Sequence, residues 1–419
     1  MKILWLCNSK FSSDKIKTTG SWLQPLCEQL SHIEGNELYN ITEYSGPKII
    51  RDNFKNIQQW CVPQDKHAKN NHQIASDEFC KMVADIIEDI KPDIVHVWGT
   101  ETIYPSIYNK GYIKYPSLLE IQGLLSSYYH FYYGGLTFLE ILKCMRLKEI
   151  ILPWRCLFFK RRVFKKRGLT EFESIKRFKN IAVQSNWTLE QLQNINADFN
   201  VYHSKIMLRE AFYDAEPWKY KQTDAPVIFT TASGAIPYKG IQLALKALAL
   251  IKKTYPKVTL HIAGDMHIGN LLQDGFSIYI NSLIKKYSLE NNVVLLGSIN
   301  ANQIVEELQS CNVCLIPSFV ETYCLAFAES MIIGVPTVVS YAGAMPELAN
   351  DKDEAIFYNS NDFISCSQRI IEIVTNKKLS QHLSVRCRER SMIENDISTV
   401  VSNQMTVYNK LLKKNDEVK

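Results

Sequence analysis

No uninterrupted apolar run in the 419-residue sequence reaches the roughly 20 residues that a bilayer-spanning helix requires. A transmembrane helix is therefore not expected. Histidines number nine and lie apart, without paired ligand spacing, so no metal centre is expected either. A large excess of one charge is also missing. The formal net charge of +5 is too mild to point to nucleic acid. The 11 cysteines are odd in number and scattered, several inside apolar runs such as CNVCLIP. That pattern fits thiols in a reducing compartment better than a disulfide framework. Cys311 and Cys314 have redox spacing, but no second pair joins them, and packing in a buried strand is the expectation. At the start, the short apolar run of MKILWLCNSK is broken by Asn8, Ser9 and Lys10, which reads as a first β-strand and not a signal peptide. These absences leave a cytoplasmic globular protein.

The composition, 46% hydrophobic and 22% charged, is ordinary for such a protein. The length suits two domains of about 200 residues each. In the second half, β-branched runs alternate with segments of helical period: VIFTTA (227–232) before IQLALKALALIKK, VTLHIAG (258–264) before a helix near 276–287, and VVLLG (293–297) before ANQIVEELQSC. NVCLIPS (312–318) then precedes CLAFAESMIIG, and PTVVS (336–340) precedes a further helix. Apolar strands alternating with amphipathic helices imply βαβ units and a parallel sheet covered on both faces. The first half repeats the theme less cleanly through KILWLC, DIVHVWG, SLLEIQG and NIAVQS. The predicted fold class is α/β, with two doubly wound Rossmann-like domains facing a cleft. The expected boundaries are 1–213 for the N-terminal domain and 225–395 for the C-terminal domain, joined where proline and charge interrupt the pattern. A last helix in 396–419 fits either domain, and a return to the N-terminal one is the expectation carried forward. Ligands in folds of this kind sit at the carboxyl ends of the strands, so function is expected in the loops that follow them.

Region 124–168 breaks the alternation. It opens with the aromatic cluster SSYYHFYYGG and ends in PWRCLFFKRRVFKKRG. Residues 141–168 hold ten Lys/Arg against one acid, Glu149, a local balance of +9 that leaves the remainder near −4. Basic heads beside Trp154, Leu157, Phe158 and Phe159 suit an anionic membrane surface, and a solvated helix face with a few core aromatics is the alternative.

The stretch PSFVETYCLAFAESMIIGVPTVVSYAGAMPE (317–347) carries the chemistry. A strand ends at Ser318, Glu321 follows in the loop, a helix starts near Cys324 or Leu325, and Gly334 with Pro336 stops it. The junction presents backbone N–H groups of Thr322, Tyr323, Cys324 and Leu325, an anion site able to hold a diphosphate without metal. Glu321 is placed to accept hydrogen bonds from sugar hydroxyls. Glu329 lies on the order of 8–12 Å further along at 1.5 Å per helical residue, placed for ribose hydroxyls.

Glu321 and Glu329 with seven residues between them, the glycine-proline pair, and then Gly343 and Glu347 resemble the E-x7-E signature of family-four glycosyltransferases, which are retaining enzymes of GT-B fold. SGAIPYKG (233–240) resembles the family's phosphate loop, and Gly20 in TTGSWLQPL its glycine-rich first loop. The resemblance implies that Glu321 contacts the transferred sugar, Glu329 the ribose, Lys239 the diphosphate, and Gly20 and Gly234 the donor. Two residues depart from it. The family arginine beside the phosphate-loop glycine is Ala235, with Arg209 as a candidate replacement, and a usual glycine is Cys324. These changes either retune donor choice or mark lost activity.

On the acceptor side, His96 and Glu101 in HVWGTE, Gln122 in IQGLLS, and His130 follow strand-like runs. His96 fits a packed core position as well as a cleft one. His130, amid tyrosines, is taken as a catalytic candidate with Glu321 and Lys239. The expected activity is that of a hexosyltransferase-type retaining glycosyltransferase using a UDP- or GDP-sugar as substrate, with no permanently bound cofactor. The expected acceptor is a lipid-linked glycan of bacterial surface polysaccharide synthesis, and the expected location is peripheral at the inner membrane face. The alternatives are a catalytically degenerate nucleotide-sugar-binding partner subunit and another GT-B enzyme such as an epimerase.

Overall fold

The computed structural model describes residues 1–12, 22–193, 195, 198–232, 234–268 and 273–416. Gly20, in the predicted first loop, lies outside the described residues. Two compact units emerge. The first contains Met1–Ser127, Val163–Arg209 and the chain from Asn395 onward, and the second Tyr128–Arg162 with Glu210–Glu394. The chain therefore passes between them four times.

The sheet of unit 1 is built from β1 (Lys2–Leu6), β2 (Glu37–Tyr44), β3 (Ile50–Phe54), β4 (Ile57–Pro63), β5 (Ile94–Trp98), β6 (Ser117–Glu120), β7 (Asn180–Val183) and β8 (Asn200–His203). Its order is β3-β4-β2-β1-β5-β6-β7-β8, parallel except for the β3–β4 pair. Successive side chains of a strand point to opposite faces, and β1 divides accordingly. Leu4 and Leu6 join one apolar cluster, while Ile3 and Trp5 join another. The second cluster also takes Val400, Val407, Tyr408 and Leu411 from the last helix, Ile397–Asp416, where the Trp5 indole N–H donates to the Tyr408 hydroxyl at 3.0 Å. That helix closes one face of the unit 1 sheet.

Unit 2 holds an entirely parallel sheet of β9 (Val227–Thr231), β10 (Thr259–Ala263), β11 (Val293–Gly297), β12 (Val313–Ile316), β13 (Thr337–Ser340) and β14 (Ile356–Tyr358), in the order β11-β10-β9-β12-β13-β14. Strand order reverses at β9, whose neighbours are β10 and β12. A doubly wound sheet opens its ligand crevice at such a switch point, here between the loops that leave β9 and β12. In unit 1 the equivalent reversal lies between β1 and β5. All eleven cysteines are free thiols and buried, Cys311 and Cys314 among them.

Residues 128–162 differ from expectation. They are placed by sequence order with the N-terminal domain, yet their contacts gather them into unit 2. The cause is a set of specific grips. The Glu140 carboxylate accepts from Lys246 and from the Tyr279 hydroxyl, each at 2.7 Å, and Lys160 pairs with Asp274. Burial works against the Glu140 charge, but these donors and the Thr137 backbone outweigh it and hold the carboxyl at about 2. A Cβ on Gly134 would meet the Pro237 carbonyl oxygen at 2.0 Å, so this backbone lies directly on the turn before Lys239.

Candidate active site

The two loops at the switch point of unit 2 are locked to each other by backbone contacts. The 3-10 turn Pro237–Lys239 ends at Gly240, whose φ of 79° is left-handed. A Cβ there would lie 2.0 Å from the Pro317 carbonyl oxygen, so only glycine lets the turn close on the end of β12. The Phe319 N–H donates to the Tyr238 carbonyl at 2.8 Å. Glu321 is fixed from behind. Ala344 N–H donates to its carbonyl at 2.9 Å, and a Cβ on Gly343 would strike that carbonyl at 2.3 Å.

These constraints bring Lys239 and Glu321 together, with Nζ to Oε1 at 2.6 Å and both side chains largely buried. Burial disfavours the lysine charge, but Glu321, with smaller contributions from Tyr238 and Cys324, outweighs it and raises the Lys239 pKa above its ordinary value. The ammonium therefore stays charged at any working pH. Gly234 follows β9 with a φ of 75°, and the space that its Cβ would fill is open. A ligand can approach the backbone closely there.

The helix begins at Leu325, as the glycine-proline stop and the upstream loop predict, and runs to Ile333. The leading N–H groups of a helix cannot be satisfied within it, and Cys324, Leu325 and Ala326 occupy that position. Cys324 caps this helix at φ 92° and ψ 79°, a left-handed conformation unusual for a residue with a side chain. Its thiol is raised above its ordinary value by burial first and by Glu321 next, so it stays neutral. Glu329 sits inside the helix, 6% exposed. Thr322, 3% exposed, is engaged by a residue that sequence reasoning missed. The Tyr128 hydroxyl accepts from the Thr322 N–H at 2.9 Å and donates to Thr322 Oγ1 at 3.3 Å. Tyr128 was legible only as one ring of an aromatic cluster. In the structure it packs against Tyr238, with centroids 5.6 Å apart, and Tyr132 lies near the same ring, so these two tyrosines are buried core and not open stacking faces.

The remaining predicted residues are placed differently. His96 is fully buried in β5, with Nδ1 2.8 Å from the Tyr408 hydroxyl, Nε2 3.5 Å from Glu120, and its ring stacked on Trp98 at 4.0 Å. The acceptor role expected for it is corrected: burial leaves this imidazole no route to a ligand and lowers its pKa, keeping it neutral. His130 is exposed at the end of the helix Leu125–Phe131, its ring 3.9 Å from that of Tyr129. No hydrogen bond or ion pair joins it to Lys239 or Glu321, which weighs against a shared catalytic role. Arg209 is the last residue of its unit 1 segment. The recess that follows β5 in unit 1 contains Glu101, Thr100, Arg167 and Glu171, and Gln122 follows β6.

Glu101 is the distinctive group of that recess. Its Oε2 is buried without a hydrogen-bond partner, and Arg167 binds its backbone carbonyl at 2.9 Å instead of its carboxylate. Burial, with Glu171 adding to it and Arg167 opposing, pushes the carboxyl up to about 7. A folded value above the ordinary 4.5 means that the fold favours the protonated form. Glu101 is then neutral toward stability below about pH 4.5 and costs stability progressively as pH rises from there to about 7. Glu101→Gln is expected to match the parent in thermal denaturation at pH 4 and to exceed it at pH 8. A gap between the two proteins that fails to widen with pH would contradict the assignment.

Comparison with known proteins bears on this site. A family model described as Glycosyl transferases group 1 matches residues 213–390, which include both switch-point loops of unit 2. An uncharacterized glycosyltransferase of Bacillus subtilis, YqgM, is 33% identical over 121 residues, covering 29% of this chain and 32% of that protein. The matched stretches span about a third of the length of the first curated relatives. Among solved structures, sucrose-phosphate synthase from Thermosynechococcus elongatus aligns with a TM-score of 0.72 at 14% identity, over 99% of both chains. HepE from Anabaena, solved in complex with UDP and glucose, aligns with a TM-score of 0.67 at 15% identity, over 98% of this chain and 99% of that one. At such identities the likeness establishes the fold, which is GT-B.

Proposed function

We propose that this protein is a retaining glycosyltransferase that transfers a hexose from a nucleoside-diphosphate sugar to a glycan acceptor. The observation that carries the reading is the Lys239–Glu321 pair, 2.6 Å apart at the switch point of the unit 2 sheet and beside a helix start. As the glycosidic bond breaks, negative charge accumulates on the departing diphosphate. A lysine kept charged and held in place stabilises that charge without reorganising. The leading N–H groups of the helix add to it. Glu321 accepts hydrogen bonds from hydroxyls of the transferred sugar, and Glu329 takes the ribose. The leaving phosphate receives the acceptor proton on the same face, so configuration is retained without a dedicated base. Glu101, at the carboxyl end of β5, serves the acceptor. HepE, crystallised with UDP and glucose, supports a UDP-sugar as donor.

The acceptor in this reading is lipid-linked, as in assembly of a bacterial surface polysaccharide, and the cationic segment 141–168 draws the protein to an anionic inner membrane face. The test is turnover with UDP- and GDP-sugars and a soluble acceptor mimic, with the product anomer read by proton NMR. The reading requires release of nucleoside diphosphate and a product of the donor's own configuration. An inverted product would remove the retaining mechanism. Diphosphate binding without turnover would favour a degenerate binding subunit, for which Ala235 and the constrained Cys324 are the supporting observations.

A further inference from the structure

The segment that unit 2 draws from the first half of the sequence has one gripped side and one bare side. The gripped side is fixed by the Glu140 contacts to Lys246 and Tyr279, by the Lys160–Asp274 pair, and by Arg155 donating to the Gln273 carbonyl at 2.8 Å. A Cβ on Gly275 would lie 1.7 Å from the Cys144 carbonyl oxygen, so the two backbones are in direct contact. The bare side belongs to the short helices Phe138–Lys143 and Leu147–Ile151 and the turn Pro153–Arg155. Leu147, Ile150 and Ile151 of the second helix and Trp154 of the turn that follows are 78%, 61%, 73% and 59% exposed. Phe138 and Leu139 are similarly bare at 64% and 68%. Large apolar side chains in such a run are seldom left to water in a protein that works alone in solution. Because the segment is anchored from behind, this exposure is preformed.

Charge selects what covers it. Lys143, Arg146, Lys148 and Arg162 are exposed around these apolar residues. The acids between 138 and 162 are both consumed, Glu140 by Lys246 and Tyr279, and Glu149 by burial at 2% exposure. Every exposed charge of the segment is therefore positive. A second copy meeting this face through a two-fold axis would set cation against cation. A membrane with anionic headgroups satisfies both features, since basic side chains bind the headgroups while apolar ones enter the acyl boundary. No described helix is long and apolar enough to cross a membrane, so the engagement is interfacial.

We infer that residues 138–159 form an apolar wedge that inserts into the headgroup–acyl boundary of an anionic bilayer, anchoring unit 2 through insertion as well as charge. This deepens the membrane part of the proposed function and does not depend on glycosyl transfer. Its test therefore runs beside a turnover assay with a soluble acceptor, in which a failed enzyme reading and a failed wedge show separately. The full-length protein is mixed with vesicles of phosphatidylcholine alone or with phosphatidylglycerol, some carrying brominated acyl chains. Vesicles containing phosphatidylglycerol should bind and the brominated chains should quench fluorescence, with quenching reduced in Trp154→Phe. Leu147→Glu with Ile151→Glu should weaken partitioning at least tenfold while leaving the circular dichroism and soluble-acceptor turnover unchanged. Binding without acyl-chain quenching, or abolished completely by high salt, would overturn insertion. A concentration-dependent dimer in sedimentation that Leu147→Glu dissolves would overturn the choice of partner.

Discussion

Lys239→Ala is expected to lower kcat for glycosyl transfer by roughly 10²–10³-fold, the range seen when one preorganised electrostatic group is removed from a developing negative charge. Three features make the effect large. The lysine is held 2.6 Å from Glu321 and so cannot be replaced by a mobile neighbour. The position at which a related arginine is expected carries Ala235, leaving Lys239 without that second cation. The turn that bears it is seated by Gly240 on the end of β12, which limits any compensating movement. Glu321→Gln should also abolish useful turnover, but for another reason: the amide retains the shape and loses the charge-assisted acceptance of sugar hydroxyls. Steady-state kinetics with a fixed acceptor separate the two. Near-normal kcat in Lys239→Ala would contradict its role at the leaving group.

Gly240→Ala is expected to cost at least about 3 kcal/mol of stability, from a left-handed backbone combined with a collision against main chain. The added Cβ would stand 2.0 Å from the Pro317 carbonyl oxygen and 2.7 Å from its carbon. Neither atom belongs to a flexible side chain, so either the Lys239 turn or the end of β12 must shift. With the 419 residues unfolding together, the loss corresponds to a fall in Tm of about 3 °C. Gly297 provides the control. Its φ is 66°, also left-handed, but its Cβ would meet nothing within 4 Å. Gly297→Ala should therefore cost only about 1 kcal/mol. Calorimetry of the two variants distinguishes close backbone approach from conformational preference, and equal losses would contradict the packing argument.

The donor half of this account was legible in the sequence because its signals are local. The apolar runs of β9 to β13 are separated by helices of clear period, and a glycine-proline pair marks where the helix bearing Glu329 stops. Pairing across loops was less legible. Lys239 and Glu321 are 82 residues apart, and only the resemblance placed both near one ligand. In unit 1, β3 and β4 were missed because IRDNF and IQQWCVP mix polar and apolar residues. The polar Gln59 is nonetheless fully buried in β4, bonded through its amide to the Phe11 backbone. The assignment of 128–162 to unit 2 rests on scattered grips such as Glu140 with Lys246, which have no periodic signature. His96 shows the converse error. A histidine near a strand end reads as functional, but an imidazole stacked on Trp98 and bonded to Tyr408 is core.

In the proposed reaction Lys239 and the start of the helix Leu325–Ile333 hold the diphosphate of an activated sugar, and thermal denaturation with UDP, GDP, CDP and ADP tests this most directly. One diphosphate should raise the Tm of the parent protein by mass action, and the same diphosphate should fail to do so in Lys239→Ala. A parent indifferent to all four, or a Lys239→Ala variant stabilised as strongly as the parent, would contradict it.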